Sequence, residues 1–341
     1  MAEELDLTNA HLHSLENVDV HQGLTVSWHS LKGVATISAI SCCSPVSAAQ
    51  AVDLTANRLK EVDPRLLALK GLRSLNFRQN LLTDVSAWDS CSCKGTLEDL
   101  EFRDNQLTQI PPLNGFVALR RLEFSYNEIR SLEPVASLSC APLRELYVAA
   151  NKITAIAGLS SLTALTVLEL GSNRIRQVEG LEAQGALVEL WLGRNRLERV
   201  QGLGHLTNLV RLSLQSNRLD SMLGLEGCTS LEELYLSHNG ILKLKGLDTL
   251  TRLKVLDVSS NRLTAVDNLG SLSRLEDLWL NDNQIPTLDG LDTALASQRE
   301  SLTTVYLHGN PAAGDPRYKE KLLALLPRLA QLDDKVLPSK T

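Results

Sequence analysis

The 341-residue chain has few aromatic residues, few cysteines and no long apolar run. Phe, Trp and Tyr make up only 4% of it, against 43% hydrophobic residues in all, so the composition predicts an aliphatic core. Because no run of about 18 apolar residues occurs, we expect no membrane span. A basic excess is also absent, since 34 Lys and Arg stand against 40 Asp and Glu. The resulting net charge of −6 argues against a general nucleic-acid binder.

The N-terminal sequence and the cysteines indicate an intracellular protein, in the nucleus or the cytoplasm. MAEELDLTNA lacks the basic and apolar regions of a secretory signal. The six cysteines are irregularly spaced, which predicts reduced thiols. Cys91-x-Cys93 and the adjacent Cys42 and Cys43 do not form the C-x(2–4)-C pairs of structural zinc sites, so we expect no metal.

One repeat frame, L-x-L-x-x-N-x-L, organises the chain. It recurs twelve times, from VDLTANRL to VYLHGNPA, with successive asparagines 22 to 27 residues apart. This periodicity identifies leucine-rich repeats. The asparagines of the frame are Asn57, Asn80, Asn105, Asn127, Asn151, Asn173, Asn195, Asn217, Asn239, Asn261, Asn283 and Asn310.

Each position of the frame predicts a structural role. Alternating apolar residues favour a short strand, with Leu168 and Leu170 inward and Glu169 outward. Neighbouring repeats then add strands in parallel, which gives a curved sheet on a concave face. The asparagine amide is expected to bond backbone groups where the chain leaves the strand. About a dozen returning residues with a central glycine predict short turns or 3₁₀ segments on the convex face. We therefore predict an α/β leucine-rich-repeat solenoid.

The frame predicts three regions. Residues 51–310 form the solenoid of about twelve repeats, and residues 311–341 form a C-terminal cap. In that cap, Asp315 and Pro316 are expected to begin a helix that ends near Pro327 and packs its leucines on the last repeat. Residues 1–50 form an N-terminal cap in which Ala10 takes the asparagine position. Within it, residues 18–50 are either a degenerate repeat or an irregular insertion.

The residue between the two strand leucines forms a column across the concave face. Five of the nine Trp and Tyr residues of the chain lie in its twelve positions. Strand propensity alone would also bring Val, Ile and Thr, and the column contains none. Exposed aromatics beside carboxylates are typical of a protein interface. The column is Asp53, Asn76, Glu101, Glu123, Tyr147, Glu169, Trp191, Ser213, Tyr235, Asp257, Trp279 and Tyr306.

The charge of the chain is concentrated on the same face. The 36 outward strand positions hold ten acids and four arginines, a difference equal to the net charge of −6 of the whole chain. We therefore expect a partner with a basic protein surface and apolar pockets, and not a nucleic acid, whose phosphates the carboxylates would repel. Further acidic residues of the face are Asp53, Glu101, Glu145, Glu189 and Glu233.

Catalytic interpretations have little support. The seven histidines are scattered, and no Ser or Cys nucleophile is recognisable beside His308. The glycines of LELGSN and WLGRN lack the spacing of a phosphate loop. The carboxylates line an open face, whereas glycosidase pairs lie in a pocket. We expect no enzyme, no catalytic residue and no cofactor.

Several phrases of the repeats resemble one family. LGSNRI, LQSNRL and LYLSHNGI, followed by W-x-N-D-N and VYL-x-x-NP, are similar to the sds-twenty-two family of leucine-rich-repeat regulatory subunits of protein phosphatase 1. The resemblance covers about residues 51–337. It implies a non-enzymatic protein that binds the phosphatase catalytic subunit through the concave face. Whether a further inhibitor or regulator joins the two proteins in a ternary complex stays open.

The resemblance also implies a set of contact residues, which nearly coincides with the aromatic and acidic column. Glu169, Asp257, Trp279 and Tyr306 match the family motif, whereas Glu123, Tyr147, Trp191 and Asp277 are conservative replacements. Residues 18–50 depart from the family pattern. The implied contacts are Glu123, Tyr147, Glu169, Trp191, Tyr235, Asp257, Asp277, Trp279 and Tyr306.

Two other functions are compatible with the repeat class. One is a scaffold or adaptor of a cytoskeletal or ciliary assembly, which need not carry the aromatic and acidic column. The other is a splicing-type protein that braces an RNA-binding partner, but such proteins have about half this number of repeats. The column and the specific phrases favour the phosphatase regulator.

Overall fold

The computed structural model describes residues 4–14, 50–138 and 142–338. Residues 15–49 lie outside the described residues, so the predictions for residues 18–50 and for Cys42 and Cys43 fall outside them almost entirely. The chain divides into two compact units, Met1–Val167 and Leu168–Thr341. Each unit is built from the same coil, in which a short strand, an asparagine turn and a returning segment follow one another.

Three-residue strands form the sheet of each unit. The first unit contains β1 (Glu4–Asp6), β2 (Ala51–Asp53), β3 (Ser74–Asn76), β4 (Asp99–Glu101), β5 (Arg121–Glu123) and β6 (Glu145–Tyr147). The division between the units falls within β7 (Val167–Glu169). The second unit continues with β8 (Glu189–Trp191), β9 (Arg211–Ser213), β10 (Glu233–Tyr235), β11 (Val255–Asp257), β12 (Asp277–Trp279), β13 (Thr304–Tyr306), β14 (Gln331–Leu332) and β15 (Lys335–Val336).

Within each unit, consecutive strands pair in parallel without a shift in register. Leu75 of β3 lies opposite Leu100 of β4, and Leu212 of β9 lies opposite Leu234 of β10. Among the pairs described within the units, only that of β14 and β15 is antiparallel. The central leucines of these strands are almost fully buried, and each such burial stabilises the fold by about 1.5–3 kcal/mol. The leucine-rich-repeat fold predicted by the frame is therefore confirmed.

The buried asparagines join neighbouring coils, as the frame predicts. Asn195 donates from Nδ2 to the carbonyls of Leu170 (2.9 Å) and Leu192 (3.1 Å), and its Oδ1 accepts from the N–H of Ile175 (3.0 Å). One amide thus satisfies backbone groups of two successive coils. The same three bonds recur in both units, at Asn57, Asn80, Asn105, Asn127, Asn151, Asn217, Asn239, Asn261, Asn283 and Asn310.

The residue before each of these asparagines adopts a left-handed backbone conformation. Its φ lies between 51° and 70° in every repeat from Ala56 to Gly309. This conformation turns the chain so that the asparagine side chain points back into the coil. Glycine would be the least strained residue there, yet only Gly309 is a glycine. The frame alone therefore does not reveal this turn.

The returning segments are short, as predicted. They contain α1 (Pro64–Leu67), α2 (Leu291–Ala294) and the 3₁₀ turns Ser86–Ser90, Glu133–Leu138 and Ala296–Gln298. A further 3₁₀ turn, Pro311–Gly314, follows β13, and the remaining described returning segments before β13 are turns and bends. No helix in the described part of the chain is long and apolar enough to cross a membrane.

Most buried residues are aliphatic, as predicted, but the core of the first unit also contains an aromatic cluster. Phe77, Phe102 and Phe124 stack at ring distances of 5.2 and 5.4 Å, and Trp88 packs beside Phe102 at 5.5 Å. All four rings are fully buried. The low aromatic content of the chain hides this cluster because its few phenylalanines occupy one position in consecutive repeats, as L-x-F.

Both ends are capped by additional elements. β1 pairs with β2, and the segment from Leu7 to Leu12 bonds to the amide of Asn57, so residues 4–14 form the first coil with Ala10 at the asparagine position. At the C-terminus, α3 (Tyr318–Leu325) packs Leu322 in the core and ends two residues before Pro327. It begins later than predicted, because Asp315 accepts from the N–H of Arg317 in a preceding turn and does not cap the helix.

The prediction of reduced thiols is wrong for one pair of cysteines. Cys91 and Cys93 are joined by a disulfide, and their Cα atoms are 5.5 Å apart. Both residues are buried next to the 3₁₀ turn Ser86–Ser90. Among the described cysteines, Cys228 is a buried free thiol, and burial raises its pKa to about 11.

Candidate partner-binding face

The first and third residues of each strand point away from the core, and we call the surface that they form the strand face of each unit. Because neighbouring strands are in register, these positions make two columns. The first unit carries the predicted Asp53, Glu101, Glu123, Glu145 and Tyr147 on its strand face. The second unit carries Glu169, Glu189, Trp191, Glu233, Tyr235, Asp257, Asp277, Trp279 and Tyr306.

Three aromatic side chains of the strand faces are each held by a glutamate two residues earlier. Alternate residues of a strand lie on the same side, so E-L-Y and E-L-W place the acid beside the ring. The hydroxyl or indole N–H donates to the carboxylate in each case. These pairs are Tyr147 with Glu145 (3.1 Å), Trp191 with Glu189 (3.2 Å) and Tyr235 with Glu233 (3.0 Å).

In the second unit, Arg211 joins two of these pairs into one network. It lies on β9, between β8 and β10, and bonds Glu189 at 2.5 Å and Glu233 at 3.0 Å. The two carboxylates in turn accept from Trp191 and Tyr235. Charge-assisted bonds of this kind are about twice as strong as neutral ones. Five side chains on three adjacent strands therefore hold one another in place.

The two rings of this network stack above a small residue. The ring centroids of Trp191 and Tyr235 are 6.5 Å apart with an interplanar angle of 19°. Their strands are two spacings apart, about 9.6 Å, so the rings lean towards each other. Ser213 lies between them on β9 and is only 1% exposed. A bulky residue at Ser213 would force the rings apart.

The environment of the network raises the pKa of two of its members, Tyr235 and Arg211. Burial raises the pKa of Tyr235 to about 12, and the bond to Glu233 acts in the same direction. The hydrogen bond that Arg211 donates to Glu233 raises the pKa of Arg211, and the negative charges of Glu233 and Glu189 raise it further. The phenol therefore stays a donor and the guanidinium stays charged at physiological pH.

A second aromatic group lies further along the second unit. Trp279 and Tyr306 pack edge to face at 5.7 Å, and Tyr306 contacts the ring of His308 at 6.1 Å. The Trp279 indole N–H is buried and has no hydrogen-bond partner among the described residues. The residue two before it is Asp277, whose side chain is one methylene shorter than that of glutamate.

Asp257 separates the two aromatic groups and is buried, with 5% exposure. Its Oδ1 accepts from the N–H (2.9 Å) and the hydroxyl (2.6 Å) of Ser259. The carboxylate therefore supports the backbone between β11 and the next asparagine turn. It lies at the predicted position, but its surface is largely covered by its own chain.

In the first unit, one arginine lies among the acidic residues of the strand face. Arg121 on β5 contacts four carboxylates and lies over the ring of Tyr147 at 5.2 Å. The sequence predicts a concentration of acidic residues on this face, and Arg121 partly neutralises it here. The carboxylates are Asp99 (3.1 Å), Glu101 (3.2 Å), Glu123 (3.6 Å) and Glu145 (3.7 Å).

Glu123 is almost completely buried at the centre of this group, with 3% exposure. Its Oε1 accepts from the N–H of Ser125 at 2.7 Å. Desolvation raises the pKa of Glu123, and this effect outweighs the opposing bonds from Ser125 and the charge of Arg121. Glu123 therefore organises the strand face from beneath, whereas Glu145 and Tyr147 beside it are accessible.

Arg121 and Arg211 are the organising residues that sequence reasoning did not select as site residues. The signal was present in the first strand position, where the repeats read Asp99, Arg121, Glu145 in the first unit and Glu189, Arg211, Glu233 in the second. An arginine flanked by acids in both neighbouring repeats must lie between two carboxylates in a parallel, in-register sheet.

Neither strand face offers a metal site. Among the described residues, no group of three His, Cys, Asp or Glu side chains could hold a metal ion. Where carboxylates converge on the strand faces, Arg121 and Arg211 lie between them. The strand faces are thus open surfaces with ordered aromatic and acidic groups, and such surfaces suit protein recognition.

Comparisons with known proteins agree with the coil geometry. A model of the family described as leucine-rich repeats (2 copies) matches residues 143–183, 229–271 and 251–293. An internalin, InlF, of Listeria monocytogenes has a similar structure, with a TM-score of 0.73, 24% identity, and coverage of 85% of this chain and 81% of that chain. A leucine-rich-repeat protein of Leptospira interrogans has a TM-score of 0.67, 26% identity, and coverage of 84% and 79%. The chain therefore has the leucine-rich-repeat fold.

The more specific resemblance of the repeat phrases is confirmed by a curated relative. The chain is 43% identical over 157 residues to the protein phosphatase 1 regulatory inhibitor subunit PPP1R7 homolog of Arabidopsis thaliana. The match covers 45% of this chain and 39% of the relative, so the chain spans about two fifths of the length of that relative. That relative is named as a regulatory subunit of a phosphatase.

Proposed function

We propose that this chain is a non-enzymatic regulatory subunit that binds the catalytic subunit of protein phosphatase 1 through the strand faces of its repeats. The similarity to a protein named as a regulatory inhibitor subunit of that phosphatase supports the partner. The ordered aromatic and acidic groups support the surface. We also propose that the protein acts inside the cell, in the nucleus or the cytoplasm.

The observation that carries the proposal is the five-residue network of the second unit. Trp and Tyr are the residues that most often dominate binding energy, especially when they are held rigidly. Trp191 and Tyr235 are fixed by Glu189, Arg211 and Glu233 before any partner arrives. Binding would therefore cost little further ordering of these side chains.

The chemistry of the strand face indicates the kind of partner surface. Aromatic groups at Trp191 and Trp279 suit apolar pockets, and the carboxylates around them suit Lys and Arg at the rim of those pockets. Asp277 forms no ion pair among the described residues, and the indole N–H of Trp279 beside it has no partner there. A basic surface that also offers an acceptor would match this pair.

Affinity purification of the full chain from cells, with identification of the partner present in equal amount, tests this function. We expect the phosphatase catalytic subunit as this partner, because the chain is similar to a regulatory subunit of that phosphatase. Any third protein in the complex would appear in the same purification. A cytoskeletal or ciliary partner in equal amount, with no phosphatase, would contradict the proposal.

A further inference from the structure

A second charged surface lies beside the strand face of the second unit, at the edge where the strands end. The residue after the asparagine is an arginine in three consecutive coils, Arg174, Arg196 and Arg218. We call these three residues the arginine row. Arg194, in the left-handed position before Asn195, lies next to it and is exposed.

The backbone places the members of the row directly above one another. The N–H of Arg196 donates to the carbonyl of Ile175, and that of Arg218 donates to the carbonyl of Leu197, both at 2.8 Å. The bonds therefore repeat with the period of the coils. Successive arginines are about one strand spacing apart, near 4.8 Å, and the row extends over about 10 Å.

The arginines of the row are available to a ligand. Arg174 and Arg218 are exposed, and Arg196 is half-buried. Within the described residues, none of the three forms an ion pair, although Glu198 and Asp220 follow two positions later. Their guanidinium groups face water without a matched carboxylate.

The equivalent edge of the first unit differs. There the residues after the asparagine are Arg58, Leu81, Gln106, Glu128 and Lys152. Lys152 pairs with Glu128 at 2.7 Å, so these two charges neutralise each other and no row of arginines forms. The repeat frame therefore does not require arginine at this position, and the row is a property of the second unit.

We propose that the arginine row binds an acidic polypeptide segment, rich in Asp or Glu, that runs in extended form across the coils. Arginine forks bind carboxylates in a bidentate manner. Three arginines spread along a line suit several separate carboxylates better than one phosphate group.

This surface is independent of the proposed phosphatase contact, because it carries the opposite charge. A basic partner attracted to the strand face would be repelled by the row. Loss of the row should therefore leave binding at Trp191 and Trp279 intact. The two surfaces together would allow the second unit to hold two partners, or two differently charged parts of one partner.

The test is a fluorescence-anisotropy titration of the full chain with a labelled ten-residue peptide of alternating Glu and Ser. Alternation places the carboxylates on one side of an extended chain. The test variant replaces Arg174, Arg196 and Arg218 by serine. The control variant replaces the exposed Arg252, Arg274 and Arg299 of the second unit by serine, which changes the net charge equally.

We expect saturable binding by the native chain, weakened by salt. The test variant should lose about tenfold in affinity, as removal of three exposed ion pairs predicts, and the control variant less than about twofold. Equal losses in both variants would overturn the proposal, as would absence of saturable binding. Tighter binding of a singly phosphorylated serine peptide or of a ten-nucleotide RNA would also overturn it, because either would show a phosphate site. Circular dichroism of both variants checks that they are folded.

Discussion

Replacing Asn195 by alanine should destabilise the second unit more than any exposed substitution in the same coil. The amide makes three bonds of 2.9 to 3.1 Å to backbone groups of two successive coils. Alanine removes all three and leaves the carbonyls of Leu170 and Leu192 and the N–H of Ile175 without this partner. At about 1 kcal/mol for each bond, we expect a loss of about 3 kcal/mol in the free energy of unfolding.

Asn217, one coil further, provides an internal comparison. Its amide makes bonds of the same length, 2.9 to 3.0 Å, but the residue is half-buried, whereas Asn195 is buried. Water can replace part of the lost bonding at the more accessible site. The Asn217→Ala variant should therefore lose less, about 1–2 kcal/mol. Gln177→Ala, at an exposed position of the preceding coil, should change stability by less than about 0.5 kcal/mol.

Urea unfolding of the full chain measures these differences. Tryptophan fluorescence and far-ultraviolet circular dichroism should be followed together, because repeat proteins do not always unfold in one step. The comparison is valid where both signals coincide. A loss below 1 kcal/mol at Asn195, or equal losses at Asn195 and Asn217, would refute the role assigned to the buried amide.

Two further predictions concern close packing and pH. A Cβ atom on Gly227 would collide with the backbone of Gly204 in the preceding coil, whereas one on Gly204 would meet nothing. Gly227→Ala should therefore lower the free energy of unfolding by about 1–3 kcal/mol, measured by urea unfolding, while Gly204→Ala should leave it unchanged. Equal effects of the two substitutions would contradict the coil spacing. Because the folded pKa of Glu123 is raised, its contribution to stability is present below its unfolded pKa of about 4.3 and is lost as pH rises through the folded value. The Glu123→Gln variant should therefore have a higher free energy of unfolding than the native chain at pH 7, by about 1.4 kcal/mol for each unit by which the pKa is raised. This difference should disappear near pH 4. A difference that is larger in acid than at pH 7 would contradict the burial argument.

The parts of the fold that follow from the period of the repeat could be predicted from the sequence. The L-x-L alternation fixes which strand residues face inward, and the asparagine marks where the strand ends. The first coil was also recognisable, because Leu5, Leu7, Ala10 and Leu12 keep the spacing within the frame, with alanine in place of the asparagine. These features depend on local geometry that is the same in every repeat.

Features that depend on one residue meeting another across repeats were harder to predict. The column argument selected Trp191 and Tyr235, but it did not reveal that Arg211 ties their glutamates together. It also did not reveal that Glu123 and Asp257 are covered by their own chain. Whether an outward residue is accessible depends on the size of its neighbours, and the repeat period does not determine those sizes.

Composition misled in two places because it averages over the chain. The few phenylalanines suggested an aliphatic core, but the three in consecutive L-x-F frames form one stack. The net acidity pointed to the acidic strand faces, but it gave no sign of the unmatched arginines at the adjacent edge. The position of a residue within the repeat is therefore more informative than its abundance.

The most direct test of the strand-face assignment is a calorimetric titration of the full chain with the catalytic subunit of protein phosphatase 1. The test variant is Trp191→Ala with Trp279→Ala. The matched control is Leu223→Ala with Leu242→Ala, which removes two large apolar side chains of the same unit that are each 52% exposed outside the strand positions. Both variants should first be checked by the urea unfolding described above.

An aromatic hot spot contributes about 2 kcal/mol or more, which is about 30-fold in affinity, so the tryptophan variant should lose at least that factor. The leucine variant should bind within about twofold of the native chain, as expected for side chains outside the interface. Full binding by the tryptophan variant, or an equal loss in the leucine variant, would contradict the assignment of the strand face as the phosphatase-binding surface.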